Sequence, residues 1–294
     1  MLRIIYPLLF ILLLISCKKT IDQPRKEAPR LVRTQVDYGD GTGLYSNFIE
    51  YNAAGRMTRV TRTFRGDSIG LTYDITYSEN EVVIKHSISD YISLIVRYTL
   101  DAGHKPLKRT KYSVEQFNNR PSLQFYHLYT DTTYFTYDSE NLLLTKESKQ
   151  YDSVQQNLGV EEIYVHAKAI KEDYVNANKN VSEIKQEINS RYRIDAYHST
   201  PFKGNSKFSF SYSSSQVNKV DEENAFLYEE FDILTSIYSS FNSSYRNIPN
   251  KIIISGTIND FAEPSISYNS DGFVTKIDEK TPNQTIKRYF FYSH

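Results

Sequence analysis

Tyr268-Asn269-Ser270-Asp271-Gly272-Phe273-Val274-Thr275-Lys276-Ile277 decides the fold: an aromatic anchor, a four-residue turn ending in glycine, then apolar positions alternating with polar ones. A chain that reverses between two strands needs a residue tolerant of positive φ, which glycine supplies freely and asparagine at small cost. The stretch is therefore a β-hairpin corner. It recurs near the start as Tyr51-Asn52-Ala53-Ala54-Gly55-Arg56-Met57-Thr58-Arg59-Val60, and degraded copies lie between. Tyr137-Asp138-Ser139-Glu140-Asn141 and Tyr174-Val175-Asn176-Ala177-Asn178 put asparagine where Gly55 and Gly272 stand. Tyr77-Ser78-Glu79-Asn80 and Leu100-Asp101-Ala102-Gly103 reach a turn residue one position earlier, and the weakest copy begins at Tyr212. The expected turn positions are thus Gly55, Gly103, Asn141, Asn178 and Gly272, and the expected aromatic anchors are Tyr51, Tyr77, Tyr137, Tyr174, Tyr212 and Tyr268.

A unit recurring every few tens of residues marks an architecture that repeats one supersecondary element. A lone hairpin cannot bury its aromatic face, so the units must share one sheet or close on each other. The expected fold is all-β: a many-stranded, strongly curved antiparallel meander or barrel of repeated hairpins, occupying residues 31–294 as one domain.

Residues 1–16 carry Arg3 and an apolar run from Ile4 to Ile15, too short to span a membrane but suited to a secretory signal peptide. The run ends in Leu14-Ile15-Ser16-Cys17, which closely resembles the bacterial lipobox, whose cysteine is acylated and becomes the mature N-terminus. Cys17 is the only cysteine, so it is the expected lipidation site and the chain has no internal disulfide. Residues 17–30 are charged and proline-bearing with no apolar periodicity, a flexible tether. By resemblance to lipoprotein sorting rules, the lack of aspartate directly after Cys17 favours the outer membrane, and the scarcity of acids in the tether favours its periplasmic face.

Basic and acidic residues balance at 35 each, so composition offers no basic face for nucleic acid. Tyr contributes 25 residues and Trp none. Segments such as Phe208-Ser209-Phe210-Ser211-Tyr212 alternate as half-buried antiparallel strands do. A barrel spanning lipid would need an apolar outward band about 25 Å tall. Thr58-Arg59-Val60-Thr61-Arg62-Thr63 is too charged on both faces to supply it.

Two stretches break the strand pattern. Leu227, Phe231, Leu234, Tyr238 and Phe241 form one helical stripe behind Asp221, Glu222 and Glu223, predicting a short helix near 224–242 that packs on the sheet. Val181, Ile184, Ile188 and Tyr192 are also helically spaced, but they follow a copy of the hairpin corner, and strand is expected there.

The lipobox, the repeated Tyr-Asn/Asp corners, Asn247-Ile248-Pro249-Asn250-Lys251 before a strand and the closing aromatic strand together resemble a family of uncharacterised Bacteroidetes lipoproteins, a domain of unknown function with a porin-like fold. The corners are also similar to the tyrosine-aspartate (Rhs-type) repeats of bacterial shell and toxin proteins, which form longer arrays. The resemblance implies a curved antiparallel sheet or barrel and no activity.

The sequence carries no HExxH or Gly-x-x-x-x-Gly-Lys-Ser/Thr motif. His86, His104, His127, His166, His198 and His294 fall at no metal-ligand spacing and read as strand-surface or turn residues. Asp37-Tyr38-Gly39-Asp40-Gly41-Thr42-Gly43 lacks the acids of a calcium loop and reads as the loop entering the first hairpin. The triplets at Asp67, Asp131 and Asp152 resemble the O-glycosylation acceptor of this phylum and suggest surface exposure. The functional expectation is a non-enzymatic envelope lipoprotein, with no cofactor, whose partners are the membrane through its anchor and a glycan or envelope protein held on the concave sheet face. The alternative is a structural or assembly component of the outer membrane envelope.

Overall fold

The computed structural model describes residues 29–39, 44–64, 70–89, 92–120, 123–156, 161–177, 180–193, 199–212, 225–231, 249–257, 260–281 and 285–293. The expected turn residue Asn178, the lipidation site Cys17, and the Asp67 triplet lie outside them, as do His198 and His294.

Sixteen strands follow in chain order: β1 (Leu31–Asp37), β2 (Leu44–Tyr51), β3 (Met57–Phe64), β4 (Leu71–Tyr77), β5 (Glu81–Ser89), β6 (Ile92–Leu100), β7 (Pro106–Arg120) and β8 (Leu123–Tyr137), then β9 (Leu143–Gln156), β10 (Glu161–Ala177), β11 (Asn180–Arg193), β12 (Ser199–Ser211), β13 (Lys251–Gly256), β14 (Asp260–Tyr268), β15 (Val274–Lys280) and β16 (Thr285–Tyr292). Each pairs antiparallel with its neighbours in sequence, and β1 pairs with β16 to close the barrel. Closure leaves the body of the barrel without an unpaired edge. The 181–192 stretch is strand, as its place after a corner indicated.

The corners share one geometry. In four of them an Asx side chain, from Asn52, Asp101, Asp138 or Asn269, accepts the backbone N–H groups two and four residues on. The residue three positions after that Asx is left-handed: Gly55 (φ 84°), His104 (φ 62°), Asn141 (φ 63°) and Gly272 (φ 82°). The third corner corrects the sequence expectation. Its left-handed position belongs to His104, because Asp101 sets the same count from the Asx residue as in the other copies, and Gly103 does not carry it. His104→Gly is accordingly expected to raise stability by about 0.5–1 kcal/mol, relief of left-handed strain exceeding glycine's added unfolded-state entropy. An unchanged or lower urea midpoint would count against it.

The anchors close the corners by hydrogen bonding. Tyr51, Tyr137 and Tyr212 donate their hydroxyls to the carbonyls of Leu31, Pro106 and Val181, at 2.7, 2.8 and 2.6 Å. Each thereby ties its own corner to the start of a neighbouring strand. Tyr174 departs from this: it lies inside β10, buried, and donates to Glu172 at 2.9 Å, while Asn176 bonds the Leu143 carbonyl. Tyr77 and Tyr268 pack against the core from the same end of the barrel.

Along the strands one face is buried and the other wet. The buried face recurs all round the closed sheet, at Val36, Ile49, Val60, Ile84, Val96, Ile184, Ile252 and Ile277 among others, so it is the inside. Sixteen strands enclose a lumen too wide for strand side chains alone to fill. The link between β12 and β13 supplies the remainder. Its helix α1 (Ala225–Glu230) places Phe226, Leu227 and Tyr228, followed by Phe231, in one cluster with Ile49, Met57, Val60, Ile75, Val96 and Ile277. The expected helix near 224–242 is therefore described over Ala225–Glu230, and its stripe packs on the sheet through Leu227 and Phe231; Leu234, Tyr238 and Phe241 lie outside the described residues. A second cluster, around Phe135, Leu143, Ile184, Phe210 and Ile252, fills the opposite wall.

Strand length is uneven. β7 to β12 run 13 to 17 residues, whereas the other strands run 6 to 9. β6 stops opposite Glu115 and β13 stops opposite Ser206, so the excess projects from the end remote from the corners. At about 3.4 Å per residue it forms a wall on the order of 20 Å taller than the facing rim.

Candidate functional site

The inner face of the long strands is layered. Nearest the corners is the apolar layer of Tyr137, Leu143, Tyr174 and Ile184, with Phe135 in the row above. In that row Glu172 accepts from Gln186 at 2.7 Å and from Tyr174 at 2.9 Å, with Lys146 at 4.0 Å. Thr133 and Ser148 hydroxyls meet at 2.9 Å in the following layer.

Beside these layers sits the polar seat of the plug. Glu230, at the end of α1, receives Arg109 at 3.2 Å, Lys111 at 3.0 Å and the Tyr98 hydroxyl at 3.0 Å, with its side chain 4% exposed. Arg109 also pairs with Asp131, which is buried. Burial pushes the Glu230 carboxyl up, but Arg109 and Lys111 outweigh it and hold it below the usual carboxylate range. On the other side of the plug Arg62 donates to the Phe231 carbonyl at 2.5 Å and to Asn47 at 2.9 Å. The last turn of so short a helix has orphan carbonyls, and Arg62 satisfies one that would otherwise be buried bare.

Higher up the wall the inner face changes character. Tyr129, Asp152, His166, Tyr192 and Thr200 are successive cross-strand partners on β8 to β12, forming one row across the projecting sheet. His127, one layer above Tyr129, bonds through Nε2 to Asp152 Oδ1 at 2.6 Å. Tyr192 is 37% exposed and meets the Tyr164 ring edge-on at 5.0 Å and the His166 ring at 6.0 Å. Burial, with Asp131 adding to it, pushes Tyr129 up to about 12. Burial and Asp152 likewise raise Tyr164. Both phenols stay protonated at neutral pH, and so remain hydrogen-bond donors. Phe202, 47% exposed, lies one row below on β12.

This part of the protein leaves little trace in sequence, because its members come from five strands and meet only through register. His127 and His166 lie on strands, but on the inner face of the wall and not on its wet outer side, and His104 sits in a turn. His86 is not a surface residue: it is buried, with Nδ1 2.6 Å from the Thr72 carbonyl and its ring 4.6 Å from that of Tyr73. The triplet beginning at Asp152 is also corrected, since Ser153 is wholly buried between neighbouring strands. In the Asp131 triplet the aspartate is buried in the Arg109 pair. No group of three or more His, Cys, Asp or Glu side chains among the described residues could hold a metal ion.

No protein-family model and no curated protein sequence matches the chain. Among solved structures, a porin-like protein from Bacteroides vulgatus ATCC 8482 superposes with TM-score 0.56 at 11% identity, covering 90% of this chain and 99% of that one. The fold is porin-like. A second porin-like protein, from Bacteroides uniformis ATCC 8492, gives TM-score 0.49 at 16% identity, over 90% and 96% of the two chains.

The outward face of the porin-like barrel mixes ion pairs with exposed apolar side chains, Phe48, Tyr134, Ile253, Phe261 and Phe291 among them. Arg59 pairs outside with Asp74 at 2.8 Å, Arg97 with Glu81 at 3.4 Å, Lys171 with Asp173 at 3.4 Å and Lys251 with Glu263 at 3.1 Å. Lys207 and Lys185 both reach Glu183. At the midplane of a bilayer each outward Arg or Lys would cost about 2–4 kcal/mol. These cations stand on β3, β6, β10, β11, β12 and β13.

Proposed function

We propose that the chain is a lipid-tethered, non-enzymatic binding protein of the cell envelope, a porin-like barrel that stands beside the bilayer and holds its ligand on the inner face of the tall wall. The observation that carries this is the row of half-exposed aromatic and polar side chains on the inner face of the tall wall, standing above an apolar plug in the lumen. An open pore would need a wet lumen, and here the apolar cluster of Phe226, Leu227, Tyr228 and Phe231 occupies it. The chain enters the barrel at Leu31, beside the corner tyrosine Tyr51. A lipid on Cys17 would leave residues 18–30 as a leash of at most about 45 Å between the bilayer and Leu31. The resemblance to uncharacterised Bacteroidetes lipoproteins and the lack of aspartate after Cys17 favour the outer membrane.

The test uses residues 18–294. The expected result is a monodisperse barrel without detergent, no conductance steps in planar bilayers, and saturable binding to a component in a screen of polysaccharides and envelope extracts. Stepwise conductance, or a need for detergent, would overturn the non-spanning barrel. Failure of every screened component to bind would overturn the binding role.

A further inference from the structure

We infer that the row Tyr129–Asp152–His166–Tyr192 with His127 is a carbohydrate subsite, specific for a neutral sugar that presents two adjacent hydroxyls. The inference rests on the binding role proposed above and names its ligand class. A pyranose has an apolar C–H face and a polar rim, so a site for it needs an exposed aromatic ring beside fixed hydrogen-bonding groups. Tyr192 supplies the ring: two neighbouring rings, Tyr164 and His166, brace it edge-on while it stays 37% exposed. Asp152 supplies the acceptor. His127 holds its Oδ1 at 2.6 Å, and its side chain remains 28% exposed, so the carboxylate is oriented yet reachable. An ionised carboxylate accepts only, and its two oxygens match a pair of donating hydroxyls. Tyr129 and Tyr164 are kept as phenols and can donate back to hydroxyl oxygens.

The charge of the row favours a neutral ligand. Lys168 lies one row from Asp152 on the same face, so an anionic sugar meets Asp152 as a like charge while a cationic one meets Lys168. The bracing aromatic contacts favour a bound ring over a flexible peptide, because Tyr192 is immobilised before binding and little rotamer entropy is lost. Phe202, diagonal to Tyr192 on β12, extends the aromatic surface for a second sugar residue.

The test is isothermal titration of residues 18–294 with neutral and acidic oligosaccharides, comparing Asp152→Asn, Tyr192→Ala and, as an outer-face control, Tyr134→Ala. The expected result is binding of a neutral oligosaccharide that Asp152→Asn weakens about tenfold or more and Tyr192→Ala abolishes, with Tyr134→Ala unchanged. Circular dichroism melts establish that each variant is folded, and His127→Gln, which releases Asp152 without removing it, should weaken binding to an intermediate degree. Equal affinity of the inner-face variants for the sugar overturns the subsite while leaving the binding role intact. Preference for acidic sugars, or saturable binding of a protein and no sugar, overturns the ligand class. Absence of any ligand overturns both.

Discussion

Glu230→Ala is expected to destabilise the barrel by about 1–3 kcal/mol, read as a fall in the urea midpoint, because Tyr98, Arg109 and Lys111 all lose a buried carboxylate acceptor. Arg109 would keep Asp131, but Lys111 would lose the anion 3.0 Å away, and Tyr98 its acceptor. Glu230→Gln keeps the volume and one acceptor and should fall between. The pH dependence follows from the same site. The folded carboxyl lies below its ordinary value, so its contribution is full above about pH 4.3, the unfolded value, and is lost as pH falls through the folded one. The gap between wild type and Glu230→Gln should therefore be widest at neutral pH and narrow in acid. A gap that widens in acid would show that Glu230 is not held ionised by Arg109 and Lys111. Phe231, the next residue, takes the Arg62 and Asn47 bonds, so loosening Glu230 should loosen the plug from both walls.

Cys17→Ser is expected to move the protein wholly from the membrane fraction to the soluble one. Two acyl chains hold a protein stably on a bilayer, each buried methylene contributing about 0.8 kcal/mol. Metabolic labelling with palmitate should mark the wild type and leave the variant unmarked. A variant that stays in membranes until extracted with detergent would mean that the barrel itself enters lipid, against its outward Arg59, Arg97, Lys171 and Lys207. The two substitutions act on separate features. Glu230→Ala should leave fractionation unchanged, and Cys17→Ser should leave the urea midpoint unchanged.

Local chemistry made the corners legible. A turn needs its left-handed residue and its Asx acceptor within a few positions, so Asn52 to Gly55 and Asn269 to Gly272 could be recognised without any partner strand. The His104 corner was misplaced by one residue because glycine is the stronger signal, although the spacing from Asp101 decides the geometry. The plug was half legible. The stripe through Leu227 and Phe231 marked a helix with an apolar face, but period alone does not distinguish packing on the outside of a sheet from packing inside a closed one.

The inner wall was not legible at all. Asp152 and His127 are 25 residues apart, and nothing in either neighbourhood announces the other; they meet because β8 and β9 pair in one register and not the next. A one-residue slip would send Asp152 to the outer face.

By itself, the order of residues determined the all-β class, the hairpin corners and the charge of the strands, since each depends on interactions a few residues long or on strict alternation. Tertiary structure alone decided that β1 meets β16, which face became the inside, and that Glu230 would be buried among cations. Those outcomes depend on closure, a condition on all sixteen strands at once, and no local stretch of chain encodes it.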